Sequence, residues 1–380
     1  MRHHVNGLLF ATLFAALPLQ VLSSDVAVAS DSRQETLPPA DVVFEAPTRQ
    51  AERLLLEVLQ LMEQGNMAQA LTQVQNLVER HPDYHLAQMI LADLWAFRAG
   101  DLALLERVGE LYPITVRRLR EEAQVRWQFA HSDENLVENL LHSSVLKVGK
   151  QHHLVLINLA KSRLYLYQNQ GGELNLVTDY YISMGTGGAG KQREGDRRTP
   201  IGVYHITDFV PGERLADLYG YGALPLNYPN IWDQSLGRTG HGIWLHGTPS
   251  DTFSRPPQSS QGCVVLNNDE MGSLVSKFNV SVATPVIIVN EIEDLAFLES
   301  ERLDVLSEVQ HWLRDQHQGF SWSEVSVYRY PNEAQLYYAT FPDVRREGHL
   351  IHQYWRRDQE GAWQLVLQST DPVQIATRLN

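Results

Sequence analysis

Gly242-Ile-Trp-Leu-His246-Gly247, followed by Ser260-Gln-Gly-Cys263-Val-Val-Leu266, is the stretch on which the fold and the chemistry turn. The first segment is a short apolar strand that ends on a histidine. The second is a Gly-flanked turn that delivers a cysteine to the start of another element. Cys263 is the single cysteine among 380 residues, which excludes an internal disulfide and any Cys-cluster zinc site. A thiolate rather than a thiol is the nucleophile, and free cysteine has a pKa of about 8.5. A histidine close to the sulfur takes its proton or pairs with it, activating it for attack on a carbonyl. Gly262 allows close backbone approach, and the N–H groups of the turn are candidates to face a developing oxyanion. An isolated cysteine is otherwise a small buried hydrophobe; the histidine and the glycine turn favour catalysis here.

Outward from this stretch the pattern is strand-like. His153-Leu-Val-Leu-Ile-Asn-Leu159 is a buried-strand run, Arg163 to Gln168 alternates as a returning strand, and Leu174 to Met184 continues it. Thr284-Pro-Val-Ile-Ile-Val289 supplies another strand. Between them lie loops rich in Gly, Pro, Tyr and Trp, and one helix expected from Asp269 to Phe278. Residues 151–291 therefore predict a compact, mostly-β sandwich or barrel with long functional loops. Tyr219, Tyr221, Tyr228 and Trp232 crowd the loop from Asp208 to Arg238, where they serve equally well as a substrate lid or as packing. His241, five residues before His246, reads as structural, and the histidines lack a ligand set at metal spacing, so neither metal nor cofactor is expected.

His246-Gly247, a gap, then Ser260-x-Gly262-Cys263 resembles the L,D-transpeptidase catalytic domain of the YkuD type. Gly185-Thr-Gly-Gly188 and Arg198-Thr199-Pro200-Ile-Gly202-Val-Tyr204 are similar to the same family's Gly-rich and Thr-Pro-x-Gly-x-Tyr segments. The resemblance implies a thioester between Cys263 and the third residue of a peptidoglycan stem peptide, with release of the terminal D-residue. His246 would be the proton donor and acceptor, and Gly262 the oxyanion-hole turn. Gly247, Ser260, Gln261, Thr199 and Arg198 would line the substrate. The acyl group would pass to an amine, making a cross-link or a protein attachment, or to water, as in an L,D-carboxypeptidase that trims tetrapeptide to tripeptide. A catalytically inactive wall-binding module and a hydrolase that detaches protein from the wall are the other readings.

Two positions depart from the family pattern, which commonly reads Ser-His-Gly-Cys, a hydrophobic residue, then Arg. Gln261 replaces the second histidine and cannot titrate. Val265 stands where the arginine would be, and Lys191, Arg193, Arg197, Arg198, Arg238 and Arg255 are the candidates to replace its charge.

The flanks differ from this centre. Residues 151–290 carry 10 basic against 11 acidic side chains, whereas residues 291–380 carry 8 against 15. A formal charge of −14 for the chain disfavours nucleic acid as a partner. Met1-Arg2, the apolar run Gly7 to Leu17 and Ala27-Val28-Ala29 predict a signal peptide over 1–29 and export to the periplasm, with a membrane anchor as the rival. Residues 30–48 read as a linker. Residues 49–145 predict a helical region whose breaks at Gly65-Asn66, His81-Pro82-Asp83 and Gly100-Asp101 resemble tetratricopeptide-type pairs. From 300 to 380, a helix and four alternating strands predict an α+β unit similar to a nuclear-transport-factor-2-like cone. This layout resembles the cell-shape L,D-carboxypeptidases, with peptidoglycan stem peptides as substrate and a protein or glycan partner for the outer domains.

Overall fold

The computed structural model describes residues 47–132, 135–291, 298–316 and 319–372; the expected signal peptide and most of the linker lie outside them. The chain forms two compact units. The first takes in described residues 47–80 and 86–124, and the second takes in 81–85 and 125–372.

The first unit is helical, with α1 (Pro47–Glu63), α2 (Met67–Arg80), α3 (His85–Ala99), α4 (Leu102–Leu111) and α5 (Pro113–Ala130), which runs on into the second unit. Apolar side chains at three- and four-residue steps form its core: Leu55, Val58, Leu59 and Met62 from α1, Ala70, Leu71, Val74 and Leu77 from α2. The break between these helices is closed by Gly65 N–H on Met62 O (3.1 Å) and Asn66 N–H on Leu61 O (2.8 Å). Asp101 caps α4 by accepting from Leu104 N–H at 3.0 Å. Among the described residues no helix is long and apolar enough to cross a membrane.

After the end of α5 the second unit continues with α6 (Leu136–Ser144) and β1 (Val145–Lys147), then enters residues 151–291. There β2 (His153–Asn158), β3 (Arg163–Gln170), β4 (Glu173–Tyr181), β6 (Gly202–His205) and β12 (Pro285–Val289) form a five-stranded sheet ordered β4-β3-β2-β12-β6. β7 (Val210–Pro211), β8 (Gly222–Pro225), β9 (Trp244–His246) and β11 (Val264–Val265) form a second sheet ordered β11-β9-β8-β7. β5 (Met184–Gly185) pairs with β10 (Gln258–Ser260). The expected helix near Asp269 is α8 (Asn268–Gly272), running into one wide turn over Ser273–Lys277. A short α7 (Ile231–Ser235) is capped by Asn230.

The five-stranded sheet is buried on both faces, which is why β2, β3 and β12 read as nearly continuous apolar runs. Val155, Ile157, Leu164, Leu166, Val286 and Ile288 point into a core shared with Leu224, Leu245, Val264 and Leu266. Their neighbours Leu154, Leu156, Tyr165, Tyr167, Ile287 and Val289 point the other way, into a second core with Tyr328, Tyr330, Tyr338 and Tyr354.

That second layer is an antiparallel sheet, β1-β13-β14-β15-β16, built from β13 (Ser326–Arg329), β14 (Leu336–Pro342), β15 (His349–Arg357) and β16 (Trp363–Pro372). Its far face packs α9 (Leu298–Asp315) through Val305, Val309 and Leu313 against Val327, Tyr337, Phe341 and Trp355. The central region is mostly β, as expected, and a third layer covers one face of its five-stranded sheet. β1, which follows the helical region, pairs with β13 from the other end of the unit.

Candidate active site

β9 lies between β8 and β11 and carries His246 at its last position, opposite Ala223 on one side and Val265 on the other. The ring is 3% exposed, and its Nδ1 lies 2.7 Å from the carbonyl of Gly247. A carbonyl only accepts, so Nδ1 carries the proton and Nε2 keeps its lone pair. Burial depresses the imidazole to a pKa of about 4; the Gly247 contact opposes this and the Arg255 charge reinforces it. His246 is therefore neutral at pH 7, in the tautomer a proton acceptor needs. Tyr219 packs its ring edge-on at 5.0 Å.

The Gly247 position excludes a side chain. A Cβ there would fall 2.1 Å from Asn268 Oδ1, and that amide is held, accepting from Tyr221 N–H (2.8 Å) and donating to Thr248 O (2.8 Å). The His-Gly pair is thus one device: the glycine lets the chain turn tightly enough to present its carbonyl to the preceding imidazole.

Cys263 follows a turn closed by Ser260. Ser260 Oγ donates to Cys263 O (2.6 Å) and accepts from Gly262 N–H (3.1 Å). Gly262 has φ +126°, and a Cβ there would lie 2.8 Å from Arg198 O. The N–H of Gly262 is committed to Ser260, so Gly262 shapes the turn and any oxyanion donor must be another N–H. The sulfur is partly exposed and donates to Gly242 O at 3.3 Å. Burial raises its pKa, opposed by the Trp244 N–H and the charges of Lys191 and Arg255. The resting pair is a neutral thiol and a neutral imidazole. Because Val264 lies opposite Leu245 and Val265 opposite His246, Cys263 enters β11 level with Trp244. It immediately precedes β11 and so lies two residues before Val265, the residue opposite His246.

Thr199, expected to line the substrate, is fully buried. Its hydroxyl accepts from Gly185 N–H (2.9 Å) and donates to Gly262 O (3.0 Å), tying the Gly-rich segment and the Thr-Pro segment to the cysteine turn. Ser260, also buried, closes the cysteine turn through its hydroxyl. Gln261 and Arg198 are exposed, and Arg198 donates through Nη1 to Ala189 O at 3.0 Å.

The six candidate cations separate cleanly. Lys191 is buried and pairs with Asp196 at 2.8 Å. Burial alone would raise the Asp196 carboxyl, but backbone N–H donors from Arg193, Gln192 and Arg198 and the Lys191 ammonium hold it well below the usual range. Arg238 is used elsewhere, against Asp233 (2.9 Å) and Glu333 (3.6 Å). Arg193, Arg197 and Arg198 lie in the exposed loop. Arg255 is half-buried, and its charge acts on both Cys263 and His246.

Of the loop aromatics, Tyr219 lies at the site, whereas Tyr228 and Trp232 are buried and Trp232 stacks on Tyr354 of the C-terminal sheet at 5.6 Å. His241 lies outside any strand and is exposed, its Nδ1 4.0 Å from Glu194. Sequence reasoning did not single out Asn268 or the Gly242 carbonyl. Asn268 follows Asn267, the cap of α8, and that Asn-Asn pair was the available signal.

Residues 152–288 match the family model of YkuD, the L,D-transpeptidase catalytic domain. YafK of Escherichia coli (strain K12), provisionally named an L,D-transpeptidase, is 33% identical over 87 residues, 22% of this chain and 33% of that protein. The matched stretch thus spans about a third of the length of that curated relative. Among solved structures, the helical cell shape determining protein Pgp2 from Campylobacter jejuni is similar over 64% of this chain and 99% of its own, at 19% identity and a TM-score of 0.43. Bd1075 of Bdellovibrio bacteriovorus is similar over 60% and 97%, at 18% identity and a TM-score of 0.43.

Proposed function

We propose that this protein is a periplasmic cysteine acyl-transfer enzyme acting on peptidoglycan stem peptides, an L,D-transpeptidase in the first instance. The observation that carries the reading is the His246 tautomer. A neutral imidazole, with Nδ1 anchored on Gly247 and Nε2 free, sits two residues along the sheet from the one thiol of a segment matching the L,D-transpeptidase domain.

The chemistry follows from the resting state. Cys263 Sγ attacks the carbonyl carbon that joins the third residue to the terminal D-residue, and its proton passes to His246 Nε2. The tetrahedral intermediate collapses, His246 returns the proton to the departing amine, and the D-residue leaves. A thioester remains on Cys263. An incoming amine or water then attacks it, His246 takes a proton from that nucleophile, and the thiol is restored.

Two acceptors give two products. An amine acceptor makes a cross-link, and water makes tripeptide, the outcome expected of a cell-shape L,D-carboxypeptidase. The C-terminal helix and sheet would act as a nuclear-transport-factor-2-like module for a protein or glycan partner, and the N-terminal helices as a protein-contact region. A signal over 1–29 would bring the enzyme to its substrate.

The test is incubation of the purified protein with disaccharide tetrapeptide, with product analysis and intact-protein mass. A thioester adduct on wild type but not on Cys263→Ala, with 3–3-linked dimers or tripeptide formed, supports the reading. Absence of adduct and of both products, with substrate recovered intact, overturns it in favour of an inactive wall-binding module.

A further inference from the structure

Of the six candidate cations, Arg255 is the half-buried one with which, among the described residues, no carboxylate pairs. Its main chain is fixed: the carbonyl accepts from Tyr181 OH (2.9 Å) and from Ser183 Oγ (2.8 Å). Ser183 in turn bridges Val265 through two backbone hydrogen bonds of 2.9 Å each, Ser183 N–H to Val265 O and Val265 N–H to Ser183 O. Arg255 is therefore pinned one residue-pair away from Val265, the second residue after the nucleophile. The guanidinium is half-buried, yet none of its nitrogens is both enclosed and unsatisfied, so they open to solvent. Among the described residues no carboxylate pairs with it, whereas Lys191 has Asp196 and Arg238 has Asp233 and Glu333.

A partly desolvated arginine that keeps a free face beside a reacting sulfur is placed to receive an anion. Its planar fork matches a carboxylate through two parallel N–H donors. The reaction supplies one. The nitrogen that takes the proton from His246 belongs to the departing residue, and that residue's α-carboxylate is two bonds away from it. The Ser183 that holds the Arg255 main chain pairs with Val265, which lies two residues after Cys263 and directly opposite His246.

Resting on the acyl-transfer reading, we infer that Arg255 binds the free α-carboxylate of the residue that leaves, and so selects acyl donors that end in a carboxylate next to the scissile bond. The proposal names a specificity-determining residue that approaches from the β10 side of the cysteine rather than from the cysteine's own strand.

The test uses two alkylating reagents on Cys263 in the full-length protein, because it needs no turnover. Iodoacetate carries a carboxylate and iodoacetamide is its neutral counterpart, and both react with the thiolate. Their rate ratio therefore cancels any change in the thiol pKa. Wild type is expected to show an iodoacetate-to-iodoacetamide ratio about tenfold above that of Arg255→Gln, with Arg255→Lys between them, in proteins whose thermal transitions agree. An equal ratio in wild type and Arg255→Gln overturns the proposal, whether or not the enzyme turns over. In parallel, tetrapeptide with a free terminus is expected to lose at least tenfold in kcat/KM in Arg255→Gln, while the C-terminal amide loses less than threefold. Equal losses for the two substrates also overturn it. If wild type turns over neither substrate but the alkylation ratio holds, the acyl-transfer reading fails and the anion site stands.

Discussion

The Thr199 hydroxyl donates to the carbonyl of Gly262 at 3.0 Å while it accepts from Gly185 N–H at 2.9 Å, so one buried side chain joins three separate segments at the base of the Cys263 turn. Replacing it by the near-isosteric valine leaves a donor and an acceptor unpaired inside the protein, and each unsatisfied group costs about 1–3 kcal/mol. Thr199→Val is therefore expected to lower stability by about 2–6 kcal/mol and kcat/KM by about 10–100-fold through misplacement of Cys263. Thr199→Ser keeps the hydroxyl and should retain most of both. Denaturant unfolding and steady-state kinetics on the two variants check this, and a Val variant as active as wild type would refute the clamp.

The pH dependence of activity follows from His246. The imidazole accepts a proton only while neutral, and burial puts its pKa at about 4 rather than at the ordinary 6.5. Lowering the pH through that value protonates His246 and removes the acceptor, so kcat/KM should fall only below about pH 5 and stay level from there to neutrality. The thiol is pushed upward by burial, so the alkaline limb lies above the ordinary cysteine range. A pH–rate profile of the free enzyme measures both limbs. An acid limb near pH 6.5 would mean that the imidazole is hydrated and loosely held.

Acid should also destabilise the second unit. Burial lowers several of its histidines, among them His205 to about 3, with His352 reinforcing the shift and Asp371 opposing it, His352 to about 4 and His246 to about 4. The rings of His205 and His352 stack at 5.2 Å between β6 and β15. For each of these groups the folded pKa lies below the unfolded value. Between about pH 6.5 and 4 the unfolded chain thus binds a proton that the folded chain does not, and stability falls as pH falls, by up to about 1.4 kcal/mol per pH unit for each group. Above pH 6.5 the dependence vanishes. Urea unfolding at pH 7 and pH 5 on wild type and His352→Gln measures it, and the variant should show a shallower decline.

The site was more legible than the architecture. His246, Cys263 and Gly262 carry their chemistry in residue type and local spacing, because a proton acceptor, a sulfur and a glycine-only turn admit few substitutes. The C-terminal strands were equally legible, since Tyr337 and Ala339 face one core and Leu336 and Tyr338 the other, in strict alternation. What spacing could not tell was which surface covers which. Leu154 and Leu156 are apolar like Val155 and Ile157, but only the assembled fold reveals that the first pair meets Tyr328 and Tyr354 rather than solvent. The depth of Thr199 was hidden for a related reason: residue type and motif position do not tell whether a hydroxyl is exposed or bonded inside the fold. Arg255 could not be separated from five other cations, because only the folded chain shows that Lys191 and Arg238 are matched by carboxylates and that Arg193, Arg197 and Arg198 lie in an exposed loop.

The three-layer arrangement makes the C-terminal sheet a condition of catalytic-domain stability. Tyr354 is 1% exposed, stacks on Trp232 at 5.6 Å and packs on Tyr330 at 5.8 Å, within the core that also holds Tyr165, Tyr167 and Ile287 of the catalytic sheet. Truncating a buried aromatic to alanine costs about 3–5 kcal/mol, a large share of the 5–15 kcal/mol typical of a folded domain. Tyr354→Ala is therefore expected to lower the midpoint of the second unit markedly, although no atom of Tyr354 belongs to the candidate site. Deleting residues 298–380 should go further, exposing the apolar face of β2, β3 and β12 and leaving β1 without its partner strand, so that the truncated protein aggregates or melts without a cooperative transition. Thermal unfolding and size-exclusion chromatography on both variants decide the matter. A truncated protein that remains monomeric and melts within a few degrees of wild type would show that the central sheet tolerates a bare face, and that the third layer serves only a partner.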